Sequence, residues 1–149
     1  SVVALGTDGR YCNERQSKSA RPRSGWPIGV AHPIYPDRRL GEIDLRERAL
    51  GTSGSARQFF HYRGKRLSHV LDPRTGRPAE GVWSATVLAP TAAQADALGT
   101  ACFVLGLDGC HRLLEHCPDL GILLVLPERN RHHTVVLGNL DSVWYPKEN

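Results

Sequence analysis

Between Ser68 and Gly106 the chain reads SHVLDPRTGRPAEGVWSATVLAPTAAQADALGTACFVLG, and no other stretch limits the possible folds so tightly. Pro73 and Pro78 bracket Gly76, which excludes DPRTGRP from regular structure and makes it a turn. Trp83–Leu88 then reads as a strand that stops at Pro90. Thr91 and Gln94 form a capping box, the hydroxyl and amide satisfying the first free N–H groups of a helix. Ala95, Leu98, Cys102 and Leu105 recur at helical spacing, so they form its core-facing stripe. Gly106 falls at the position where helices end, and Asp108 caps a second, shorter helix through about Cys117, stopped by Pro118.

The rest of the chain is rich in strands. Val2–Leu5, Pro27–Ala31, Ile43–Leu45 and Ala49–Ser53 are strand-like, and Arg57–Tyr62 and Arg66–Leu71 flank a turn at Arg63–Gly64, a hairpin signature. Ile122–Leu126 and Thr134–Leu137 supply the last strands, joined by a polar turn over Glu128–His133. Helices do not alternate with strands, so a doubly wound sheet is excluded. The pattern predicts an α+β fold: a mostly antiparallel sheet with two adjacent helices in the C-terminal part. All of residues 1–149 make one domain, interrupted by a basic flexible insertion over 10–25.

Composition narrows the function classes. The apolar runs are too short to span a bilayer, and no secretory signal is visible. Either the chain is cytoplasmic or a targeting segment lies upstream; the lack of methionine and the strand-like run at the start favour a piece of a longer protein. A net charge of +4 and a pI near 9.1 raise nucleic-acid binding. The basic residues Arg15, Lys18, Arg21 and Arg23 lack the interleaved aromatics that stack on bases, so a solvated loop is favoured over that partner. Cys102, Cys110 and Cys117 show no C-x-x-C pairing and read as free thiols on a helix rather than zinc ligands.

A few residues suit chemistry. Asp96 and Thr100 stand one helical turn apart and share a face with Gly99 and Phe103. A carboxylate and a hydroxyl there suit Mg²⁺, a hard cation whose other positions go to phosphate and water; the plainer reading is an early-turn acid and a packed threonine. His69 precedes the turn and reads either as a general base or as a hydrogen-bonded structural histidine. Asp72 suits an Asx-type turn bond. Arg74 and Thr75 offer donors for a phosphate and are also ordinary turn residues. Thr52–Ser53–Gly54–Ser55 forms a hydroxyl-rich turn able to cradle an anion. The other histidines (His32, His61, His111, His116, His132 and His133) show no pairing and receive no role.

Taken together, TSGS at Thr52–Ser55, GKRLSHVLDPRTGRP at Gly64–Pro78 and APTAAQADALGTACFVLG at Ala89–Gly106 resemble the ApbE family of FAD:protein FMN transferases. VALG near the start and WPIGVAHP at Trp26–Pro33 fit the same pattern. The resemblance covers nearly all of the chain except the basic insertion, and corresponds to the C-terminal half of the family's usual length. It implies an ApbE-like fold and a Mg²⁺-dependent enzyme that moves FMN from FAD to a threonine or serine hydroxyl of an acceptor flavoprotein, releasing AMP. It further implies Asp96 and Thr100 as metal ligands, His69 as catalytic base, Val70 along the flavin, and Ser53, Arg74 and Thr75 as cofactor contacts. An N-terminal half or a partner chain would complete the pocket, and the family's setting is the bacterial periplasm or a lipoprotein anchor. A partial FAD-binding domain without catalysis, or an FAD diphosphatase, is the alternative. Gly99 departs from the serine or alanine common in the family.

Overall fold

The structure, a computed structural model, describes residues 2–4, 25–35, 37–54, 59–129 and 131–147. Most of the basic insertion, residues 10–24, lies outside the described residues, as does Ser55. The strands before the turn region are β1 (Val2–Ala4), β2 (Trp26–Ala31), β3 (Arg39–Leu45) and β4 (Ala49–Gly54). Two small hairpins follow: β5 (Phe59–Tyr62) with β6 (Lys65–Ser68), and β7 (Leu71–Asp72) with β8 (Arg77–Pro78). After them come β9 (Ser84–Ala89), the helix α1 (Ala92–His116), β10 (Gly121–Glu128), β11 (Arg131–Gly138) and β12 (Trp144–Pro146). All pairings are antiparallel, in a five-stranded sheet ordered β1-β4-β9-β10-β11 and a three-stranded sheet ordered β12-β3-β2. The class is α+β, as the sequence predicts.

These elements stack in three layers. On one face of the five-stranded sheet Ala85, Val87, Ala89, Ile122 and Leu124 pack against Ala95, Cys102, Phe103 and Cys110 of α1. On the other face Leu50, Leu88 and Leu123 pack against Val30, Ile43 and Leu45 of the three-stranded sheet. Because both faces are covered, all six residues of β9 and the first five of β10 are buried. That burial explains their continuous apolar sequence, which lacks the alternation of a half-exposed antiparallel strand.

Helix α1 begins after its predicted Thr91 cap, but the Gln94 side chain meets the Thr91 hydroxyl rather than the Thr91 amide that a full capping box would satisfy. The Thr91 hydroxyl accepts from the Gln94 amide at 3.3 Å and donates to Gln94 Oε1 at 3.1 Å. As the sequence predicts, the helical run breaks at Gly106, whose φ of 69° no ordinary side chain adopts cheaply, so α1 is two helical stretches that meet at a kink, the second running on to His116. Cys102 and Cys110 are buried free thiols and Cys117 is a half-buried one. The Cys102 thiol is pushed up from its ordinary range, first by its hydrogen bond with Cys110 and then by burial, which suits a packing role.

Other expectations change. DPRTGRP is not wholly irregular, since Leu71 pairs with Pro78 and Asp72 with Arg77 to close a tight hairpin. The Glu128–His133 connection shrinks to two residues because pairing continues out to Glu128 and Arg131. Thr52, Ser53 and Gly54 are strand residues of β4 rather than a turn, paired with Thr86, Ala85 and Ser84. Arg63 and Gly64 do make the β5–β6 turn, with φ of 50° and 75°, the left-handed pair that a two-residue hairpin needs.

Candidate active site

The N-terminal turns of α1 lie directly on β4, and glycine sets how closely. A Cβ on Gly51 would strike the backbone carbonyl of Ala95 and approach the Asp96 nitrogen to 3.0 Å. With no side chain at that point, the helix settles onto the strand. Ser53, two residues along on the same face, then reaches Thr100, their hydroxyl oxygens 3.0 Å apart. The Thr100 hydroxyl also lies 3.3 Å from the Asp96 carbonyl, back-bonding one turn down its own helix. Asp96 and Thr100 are exposed while Gly99 between them is buried. The result is an open edge presenting one carboxylate and two hydroxyls.

That donor set decides which metal suits it. Among the described residues no three histidine, cysteine, aspartate or glutamate side chains gather as a metal site. Oxygen donors alone, with a single carboxylate, fit Mg²⁺ completed by phosphate and water, and do not fit zinc.

Gly99 also tests the local packing. A Cβ there would stand 3.5 Å from the Gly51 carbonyl oxygen and 3.6 Å from the Ser53 hydroxyl, ordinary contact distances. Gly99→Ala should therefore raise stability by about 0.5–1 kcal/mol, the usual gain from removing helix-interior glycine. A higher urea midpoint with unchanged slope is the expected readout.

His69 and Val70 form the bend between β6 and β7, so Val70 is not itself in a strand. Val70 is tied at both ends: its amide donates to the Ser68 hydroxyl at 3.1 Å, and its carbonyl accepts from Ala79 at 2.8 Å. Its side chain packs on the same core as Ala95 and Leu98, which holds the bend on the helix side of the sheet. His69 is exposed there. In the turn that follows, Asp72 does what an Asx residue does, accepting from the Arg74 amide at 2.9 Å. The Arg74 guanidinium meets both Asp72 oxygens, at 2.9 Å through Nε and 2.7 Å through Nη2. Those bonds hold the Asp72 carboxyl below the usual range. Thr75 accepts from the Arg77 amide at 3.3 Å. Arg74 and Thr75 thus shape the turn.

One pair escaped the sequence reading. His32, after β2, and His132, on β11, meet with Nε2 and Nδ1 3.1 Å apart, although 100 residues separate them. His32 Nδ1 accepts from the Ile34 and Tyr35 amides at 3.0 and 3.2 Å. An acceptor Nδ1 puts the neutral ring's proton on Nε2, which therefore donates to His132. The only hint in sequence is that His32 precedes Pro33 at the end of a strand. Burial, then His132 and then Arg38, push the His32 pKa down from 6.5. Below that value the unfolded chain takes up a proton that the folded ring resists, so stability falls with pH until the folded ring protonates too. Urea unfolding at about pH 7.5 and about pH 5.5 should show this loss. His32→Asn, which keeps an acceptor for the two amides, should reduce it.

Comparison with known proteins accords with these features. The ApbE family model matches residues 1–124. The chain is 34% identical over 131 residues to an FAD:protein FMN transferase of Treponema pallidum, covering 87% of this chain and 35% of that protein. It is 43% identical over 111 residues to the Escherichia coli K12 protein of the same name, covering 73% and 31%. Among solved structures, the ApbE protein of Thermotoga maritima aligns with a TM-score of 0.68 at 34% identity, over 83% of this chain and 38% of the other. The apo flavinyl transferase ApbE of Pseudomonas stutzeri aligns with a TM-score of 0.65 at 30% identity, over 81% and 37%. The chain spans about a third of the length of these curated relatives, less than the half that the resemblance suggests. With matched motifs, matched fold and a family model over most of its length, this chain belongs to the ApbE family.

Proposed function

We propose that the protein bearing this chain is a Mg²⁺-dependent FAD:protein FMN transferase. The observation that carries the reading is the open edge of Asp96, Thr100 and Ser53, in a chain of this family. In the proposed reaction, a serine or threonine hydroxyl of an acceptor flavoprotein attacks the flavin-side phosphorus of FAD. A new O–P bond forms, the bridging P–O bond breaks, and AMP leaves with the bridging oxygen. His69, exposed in its bend, takes the proton of the attacking hydroxyl. Bound Mg²⁺ would offset negative charge on the diphosphate and polarise it as a Lewis acid. Asp96 and Thr100 hold the metal, Ser53 fixes the Thr100 hydroxyl, and Val70 sets the bend against the flavin. Arg74 keeps its Asp72 pair through Nε and Nη2 and offers its remaining N–H donors to a phosphate, and Thr75 supports that turn.

The chain's span of a third of its relatives favours a second reading, in which another segment or chain completes the pocket and these residues alone bind FAD without turnover. The test incubates the protein with FAD and Mg²⁺, with and without a flavoprotein acceptor, and measures AMP. AMP that appears with acceptor labelling supports the transferase. AMP without labelling indicates FAD hydrolysis, and FAD binding with no AMP supports the second reading.

A further inference from the structure

The His32–His132 pair lines a cleft of about 1040 Å³, formed by the segment after β2, by β3 and β12, and by the β10–β11 hairpin. Among the described residues, those lining it include none from α1, β4 or the His69 bend, the elements of the candidate active site. Among the described residues its wall carries four cations, Arg38, Arg39, Arg131 and Lys147, and one carboxylate, Glu128; Arg39 is paired with Glu42 at 3.7 Å. Two indoles, Trp83 and Trp144, line it as well.

The histidine pair supplies a fixed donor. Because His32 donates to His132 Nδ1, the neutral His132 ring carries its own proton on Nε2. The same arrangement argues against a metal. His32 Nδ1 is committed to two backbone amides and its Nε2 holds the proton, so neither nitrogen is available as a ligand.

We propose that this cleft binds a mononucleotide: a planar ring system bearing a phosphomonoester. Arg131 and Lys147 meet the phosphate dianion in charge-assisted bonds, and the His132 Nε2–H adds a neutral donor. Trp83 or Trp144 stacks on the ring, a contact that tolerates any base. The volume stands at the upper end of small-molecule sites, room enough for such a ligand. An adenine or a flavin mononucleotide has this shared chemistry. The proposal stands apart from the transferase reading and survives if that reading fails.

Calorimetric titration of the intact protein tests it, using AMP, FMN, adenosine, riboflavin and inorganic phosphate. Saturable binding of AMP or FMN is expected, at least about tenfold tighter than the matching nucleoside or free phosphate; the tighter of the two identifies the source. Replacing Arg131 and Lys147 together with glutamine should weaken binding by at least about tenfold, with an unchanged circular dichroism spectrum. Asp96→Asn should leave it intact. Absence of binding at millimolar ligand overturns the proposal. So does binding lost with Asp96 and kept in the double variant, which would locate the ligand at the other site. Tighter, steeply salt-dependent binding of a single-stranded oligonucleotide would reassign the cleft to nucleic acid and overturn it as well.

Discussion

Asp96→Asn is expected to lower Mg²⁺-dependent AMP release by about 10²- to 10³-fold, the usual cost of removing one group that stabilises transition-state charge. Asparagine keeps the size and one oxygen of the side chain but removes the negative charge that attracts a dication. The residue is exposed on the second turn of α1, so the substitution should shift stability by no more than about 0.5 kcal/mol. Activity and fold are thereby separated in one variant. If the role is metal binding, raising Mg²⁺ should restore part of the rate, because weakened affinity is overcome by mass action. Thr100→Val should show a milder form of the same defect, since it removes the neutral oxygen proposed as a metal ligand and the bond to Ser53. An Asp96→Asn protein with the parental rate at low Mg²⁺ would remove the carboxylate from the mechanism.

Phe103→Ala should cost about 3–5 kcal/mol of folding stability, the range for deleting a buried aromatic side chain. Phe103 is only 1% exposed and belongs to the layer between α1 and the five-stranded sheet. Its neighbours in that layer include Val87, Ile122 and Leu124 of the central strands, and a rigid sheet cannot collapse into the space left behind. The cavity would open beneath the turn that carries Thr100. Partial loosening of the proposed metal edge is therefore expected, visible as a raised Mg²⁺ requirement at temperatures where the variant remains folded. Urea unfolding measures the stability term directly. A loss under about 1 kcal/mol would mean that the two layers re-pack freely.

Much of the helix region was legible because its signals are local. The Thr91 cap, the Gly106 break and the stop after His116 each depend on groups within one turn of the chain. Arg63–Gly64 was legible for the same reason, as a turn needs only its own two dihedrals. The readings that changed were those where a local signal met a distant partner. Thr52–Ser53–Gly54 has turn chemistry, yet β9 pairs with it residue by residue and makes it strand. Pro78 looks like a breaker, but it tolerates the outer position of a short hairpin, where its missing N–H costs nothing. Arg74 reads as a phosphate donor, and the structure adds that its Nε and Nη2 pair with Asp72 two residues away.

From the sequence by itself follow the α+β class, the ends of α1, the turn after His69 and membership of the ApbE family. Each rests on dihedral preferences, caps and motifs whose causes span only a few residues. Only the tertiary structure decided that Ser53 meets Thr100, that both faces of the five-stranded sheet are covered, and that His32 donates to His132. Those contacts join residues 47 and 100 positions apart. Their energy depends on how whole layers settle, with Gly51 setting the approach of helix to strand. No window along the chain contains both halves of such a contact, so the assembled layers had to supply it.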